Sequence, residues 1–442
     1  MRKLHILISW GKNELKQNLV NSAPSITIFT VISFAILVTF WVTGYPSFQD
    51  YGEWVYQGRV LSDLWAGIDT GVADFVDYPV PYALHLLLLA FATRLFGSIA
   101  GPMVLLILFA GFAMFCISRF VSKNELNRVS ATIFTAAMVF GSGFWNGYLG
   151  AQLGVVFIIL YLSFPREITS CWYFVFPFSI LMFFTHALGF AAWGIIALVR
   201  SFESKRFVTF MLAVTPSAVL TLIYVFRSYQ PRGQGDLNVD GFVQLLAYKG
   251  YAVAKLGSYQ NLILRGTGDF ETNQFLFYAG VAINFLFALV LCAGMLWLLL
   301  KFRSLWKYFR TEYVAGAILI FVAIMLPSFF VGIVNPGERV MIPGLVVLSV
   351  ILFSKRFAPR WFAPASTLVL VVGGLLTIIS LILLPTKDGS GAQVSQPPSG
   401  SDNRVSTFFG HRLDQYQEKQ VEANDDRADL PLDWSTSIIE TP

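Results

Sequence analysis

Residues 275–300 read FLFYAGVAINFLFALVLCAGMLWLLL, without a single charge, and the chain turns at once to Lys301, Arg303, Lys307 and Arg310. A helix over this run, rising 1.5 Å per residue, covers about 39 Å, more than the roughly 30 Å of hydrocarbon in a bilayer. No other open structure satisfies its own backbone there, because lipid offers no hydrogen bonds. The cluster of Lys and Arg at its end marks the cytoplasmic side.

Working outward, apolar runs of this kind recur along all but the ends of the chain. The 442 residues have a mean hydropathy of +0.64, with 56% hydrophobic and 13% charged residues. A soluble domain carries about a quarter charged residues, so a soluble core is excluded. The net charge of +5 is small for this length, and its Lys and Arg lie between the apolar runs. They read as cytoplasmic loops, which excludes a nucleic-acid partner and leaves the lipid bilayer as the surroundings. Cys116, Cys171 and Cys292 lie in apolar segments without metal-ligand spacing and read as buried thiols.

Charge orients the spans. Arg2, Lys3, Lys12 and Lys16 precede a first span, Pro24 to Gly44, which has no cleavage pattern and reads as an anchor. Val80 to Phe96 is short, holds His85 and Arg94, and reads as an interfacial helix, since crossing there would put Arg119, Lys123 and Arg128 outside. The following spans are Ile99–Ser118, Val129–Trp145 and Leu149–Phe164. Basic residues then flank Cys171–Val199 on both sides, Arg166 before it and Arg200, Lys205 and Arg206 after it. A hairpin of two short helices with its tip at Thr185-His186-Ala-Leu-Gly189 reconciles this, with the break buried in protein or wetted by a cavity. Phe207–Phe226, a long outer loop from Arg227 to Asn273, Phe275–Leu300, Tyr313–Val334, Met341–Phe353 and Ala363–Leu384 complete an all-α polytopic bundle of about eleven crossings. The transmembrane unit is 1–386. The remainder, 387–442, is a polar extracytoplasmic tail of poorly ordered composition, with Val405–Glu422 as a possible surface helix.

None of these spans holds Asp or Glu, which weakens an ion-coupled transport reading. Carboxylates gather instead just after the first span, in Phe48-Gln-Asp-Tyr-Gly-Glu-Trp-Val-Tyr-Gln-Gly-Arg59. As a helix this segment puts Asp50, Glu53 and Gln57 on one face, beside an aromatic-rich face of Tyr51, Trp54, Val55, Gly58, Leu61 and Trp65. Asp50 at a membrane surface suits a general base toward an acceptor hydroxyl, with Glu53 as the alternative. The spacing of Asp50 and Glu53 equally suits a helix cap.

In order, the chain offers an acidic residue opening a juxtamembrane helix (Asp50 to Trp65) and Asp77-Tyr-Pro-Val-Pro81. A second helix, Ala83 to Phe96, then ends in Arg94-Leu-Phe-Gly97, and the next span has a basic end, Ser118-Arg-Phe-Val-Ser-Lys123. Phe184-Thr-His-Ala-Leu-Gly189 and Asn335-Pro-Gly-Glu-Arg-Val-Met-Ile-Pro343 follow. This arrangement, over Met1 to about Leu384, resembles the GT-C superfamily of integral membrane glycosyltransferases, among them mannosyl- and arabinosyltransferases that use lipid-linked sugars. It departs from that pattern in the split Pro79-Val-Pro81, in His186 where a lysine is usual, and in lacking an Asp-x-Asp pair, which leaves metal dependence open.

The resemblance implies a bacterial cytoplasmic membrane and a polyprenyl-phosphate sugar as donor, with a glycan or lipid as acceptor. Asp50 would deprotonate the acceptor for inverting attack on the anomeric carbon. Arg339 is the first candidate to hold the anionic leaving phosphate, against an ion pair with Glu338 or a headgroup anchor, and Arg265 and Lys249 come second. His186 is a candidate for phosphate or acceptor, Gln57 and Tyr78 for further substrate contacts, and His85 and Arg94 for lipid headgroups. No cofactor is implied. Competing readings are a polysaccharide polymerase or ligase, a lipid or sugar transporter, and a structural subunit.

Overall fold

A computed structural model describes residues 23–43, 51–67, 74–75, 78–228, 242–260, 274–327, 329–330, 333–334, 336–383 and 439–440. These form a helical bundle whose strands are two antiparallel pairs of two residues each, Asp74–Phe75 (β1) with Ile439–Glu440 (β4) and Phe329–Phe330 (β2) with Ile333–Val334 (β3). Five helices are long and apolar enough to cross a membrane, Ala100–Lys123, Phe207–Arg227, Gln274–Leu300, Phe302–Met325 and Phe362–Ile382, and shorter apolar helices cover Ala23–Thr39, Ala83–Ser98, Leu149–Leu162 and Trp172–Thr185. On the longest, Phe275 and Leu300 are 85% and 75% exposed, an apolar surface that a bilayer covers. The protein is an integral membrane protein by this criterion.

The first helices among the described residues are α1 (Ala23–Thr43) and α2 (Tyr51–Trp65), the latter packed along α3 (Ala83–Lys123). Tyr51, Val55, Gly58 and Leu61 are buried rather than turned to the interface, Gln57 of the acidic face is buried with them, and Trp65 is exposed. The Tyr51 hydroxyl donates to the Pro102 carbonyl at 2.9 Å, and burial raises its pKa well above the usual range, which keeps it a donor. Gly97, at φ +84, breaks α3 between the expected juxtamembrane helix and the span.

Next come α4 (Arg128–Val139), α5 (Ser142–Trp145), α6 (Leu149–Leu162) and α7 (Arg166–Thr169). The expected single span 129–145 is thus interrupted at Gly141, whose extended backbone ends the first helix. The hairpin is present as α8 (Trp172–Thr185) and α9 (Ala187–Glu203), and His186 alone leaves the helical conformation between them (φ −171, ψ 128). Its amide still donates to the Met182 carbonyl, while its Nδ1 accepts from the Gly189 amide at 3.2 Å and caps α9.

The remaining helices are α10 (Phe207–Ser228), α11 (Phe242–Ala254), α12 (Gln274–Leu300), α13 (Phe302–Met325), α14 (Pro336–Leu352) and α15 (Phe362–Ile382). Here the helix expected from Tyr313 begins at Phe302 and stops before Pro327, because proline disfavours helix in the residue preceding it. Glu312 therefore lies inside a span-like helix, contrary to the expectation that spans hold no carboxylate, and it is matched by Arg166 at 2.8 Å. After α11 the chain dips between α12 and α15, where Asn284 accepts from the Tyr259 amide and donates to its carbonyl, and the Thr377 hydroxyl accepts from the Gln260 amide.

Of the three cysteines only Cys116 is buried; Cys171 is half-exposed and Cys292 exposed, because an apolar segment says nothing about which of its residues face lipid. The expected tail helix, Val405–Glu422, lies outside the described residues.

Candidate functional site

The break at His186, the head of α14 and the start of α6 meet around one cavity of about 550 Å³, including the open space at its mouth. Its wall includes Tyr148, Gln152, His186, Lys255, Glu338 and Arg339. Local sequence explains why they converge. Pro336 suits the first turn of α14, so Glu338 and Arg339 project from that helix head. Gly147, at φ +88, makes the turn that aims Tyr148 inward.

Arg339 lies over the Tyr148 ring, its guanidinium carbon 4.4 Å from the centroid, and its Nη1 is 3.5 Å from His186 Nε2. The edge of His186 in turn meets Tyr82, with ring centroids 4.9 Å apart. Because His186 Nδ1 already accepts from the Gly189 amide, the proton of a neutral ring sits on Nε2. Nε2–H and the Arg339 N–H groups are then two donors side by side, which cannot satisfy each other. Arg339 does not pair with Glu338, since that carboxylate is bonded to Lys255 at 3.3 Å, and among the described residues no other acid reaches it. Two adjacent donors with a fixed positive charge are suited to an oxyanion.

Lys249 is spent elsewhere: it donates to the carbonyls of Ala323 and Leu326 at the end of α13, and burial lowers its pKa. Gln57 is 2% exposed, and its Oε1 has no partner among the described residues. Tyr78 is half-buried, its ring 6.3 Å from that of Tyr224, and it does not line the cavity. His85, expected at headgroups, is instead buried edge-on to Trp54, because Gly150 leaves it room: a Cβ there would lie 2.9 Å from His85 Nδ1. Arg94 is exposed.

Asp50, Arg265 and the side chain of Glu53 lie outside what is described. What is described is the next residue, Tyr51, whose backbone packs directly on Gly147, so that a Cβ on that glycine would come within 2.9 Å of Tyr51 Cα. The head of α2 thus abuts the turn that carries Tyr148 and, through it, Arg339. Among the described residues no group of three His, Cys, Asp or Glu could hold a metal ion. Sequence reasoning missed Tyr148, Gln152 and Lys255, which carry no motif and join the site only through packing.

No family model, curated protein or solved structure matches the chain.

Proposed function

We propose that the chain is an integral membrane glycosyltransferase, transferring a sugar with inversion from a polyprenyl-phosphate donor to a glycan or lipid acceptor. The observation that supports this reading is the convergence of Arg339 and the His186 Nε2–H on one cavity without a described carboxylate to receive them. In the reaction, Asp50 takes the proton of the acceptor hydroxyl as its oxygen attacks the anomeric carbon. The bond from that carbon to the phosphate oxygen breaks, and the electron pair leaves with polyprenyl phosphate. Arg339 and His186 stabilise the charge that develops there, a role in which one preorganised donor is worth about 10²–10³ in rate. Tyr148 holds the guanidinium in place, and Gly147 ties it to Tyr51, the residue that follows the proposed base in sequence.

The same reading has about eleven crossings, a cytoplasmic N-terminus, a cavity and C-terminal tail on the extracytoplasmic side, and residence in a bacterial cytoplasmic membrane. The test is release of polyprenyl phosphate by the purified protein in liposomes offered a panel of polyprenyl-phosphate sugars. Release that is lost in both Asp50→Ala and Arg339→Gln is the expected result. Sugar or lipid crossing the bilayer without release would replace the enzyme by a transporter. Release that survives Asp50→Ala but not Arg265→Ala would favour a polymerase or ligase.

A further inference from the structure

Gln152 lies one helical turn beyond Tyr148 on α6, so the two side chains share a face and reach the same cavity. It is 2% exposed, its Oε1 is fully buried without a partner, and its amide nitrogen bonds to no described residue. Gly143 of α5 stands directly against that nitrogen, and a Cβ there would collide with it. A buried carbonyl left unmatched costs its desolvation, and a fold without a use for it would hold an apolar residue of similar shape. An amide is also neutral, and it offers both donor and acceptor where the neighbouring Arg339 offers only donors on a fixed charge.

We infer that Gln152 is the sugar-recognising residue of the cavity: its amide binds hydroxyl groups of the glycosyl unit directly attached to the phosphate held by Arg339 and His186. This rests on the glycosyltransferase reading above and adds to it a subsite for a neutral, hydroxylated ring. The geometry is consistent with such a ligand, because a sugar joined to the phosphate through one oxygen lies within a side chain's length of it, as Gln152 lies one turn from the Tyr148 platform. Gly143 keeps the amide free to face the ring.

The experiment is direct binding to the full-length protein in nanodiscs, with decaprenyl phosphate and its glucose, mannose, arabinose and 2-deoxyglucose esters as probes. At least one sugar ester should bind the native protein about tenfold more tightly than decaprenyl phosphate, the worth of a well-made neutral hydrogen bond or two. Gln152→Leu should remove that difference and leave the affinity for decaprenyl phosphate unchanged, and Gly143→Ala should do the same from the opposite side. The melting temperature of Gln152→Leu should hold or rise, since an unmatched polar group has been removed. If decaprenyl phosphate binds in an Arg339-dependent way but no ester gains over it, or the gain survives Gln152→Leu, the sugar subsite is refuted while the phosphate site stands. A marked fall in melting temperature would give the amide a structural role and refute it as well. If no probe binds in a way that Arg339→Gln abolishes, the glycosyltransferase reading itself falls.

Discussion

Two clusters of buried polar groups, one on the cavity and one at the junction of α7, α9 and α13, differ in whether their bonds are closed. At the junction, Arg166 meets Glu312 at 2.8 and 3.0 Å and Glu203 at 2.9 Å, and Thr311 donates to Glu203. Ser170 and Ser204 bond each other at 2.9 Å, and Arg200 lies over the Tyr161 ring, with its Nη1 unmatched. Around the cavity, Arg339, His186 Nε2 and Gln152 each keep bonding capacity that no described residue uses. Both clusters contain a half-buried arginine beside fully buried polar groups, so residue type and burial do not tell a structural charge from a ligand-binding one. Whether the charge already has its counterion does.

The contrast is broken most severely if Arg339→Gln leaves donor turnover intact. The expected result is a loss of about 10²–10³ in the rate of polyprenyl phosphate release, with the melting temperature nearly unchanged, because no described ion pair is lost. Glu312→Gln should do the reverse. It strips Arg166 of its best partner and should cost about 2–3 kcal/mol, less than a fully buried pair because Arg166 is 42% exposed, read as a lower midpoint in a reversible unfolding assay with activity per folded molecule retained. Gly147→Ala lies between the two regions in kind. Its φ of +88 and its contact with Tyr51 predict about 1–3 kcal/mol of strain, and turnover per folded molecule should fall as the head of α2 shifts away from Tyr148. The smallest effect is expected for Asn284→Leu, which unmatches the Tyr259 amide and carbonyl. A loss of about 1–2 kcal/mol, without change in donor affinity, would show that Tyr259 can loosen without disturbing Lys255 on the cavity wall.

The legibility of these regions from residues was uneven. The helix after Asp50, the break at His186 and the second juxtamembrane helix were all placed by local signals: aromatic periodicity, basic residues flanking Cys171–Val199, and a short span with charges. His186 and Arg339, chosen separately from positions 153 residues apart, do meet. Lys249, chosen as an outer-loop cation, proved to be tied to the end of α13, and Tyr78 faces Tyr224. Nothing local distinguishes an exposed cation from one that folds back onto a helix terminus. His85 was misplaced for the same reason, since its burial depends on a glycine 65 positions later.

Hydropathy and charge along the chain were enough to establish a helical membrane protein, most of its helix boundaries and the place where one hairpin breaks, because those depend on residues close in sequence and on the bilayer. Which polar groups end up satisfied was decided only when the helices packed. A hydrogen bond needs its partner within about 3 Å, and the partners of Arg166, Asn284 and Glu338 are 146, 25 and 83 residues away.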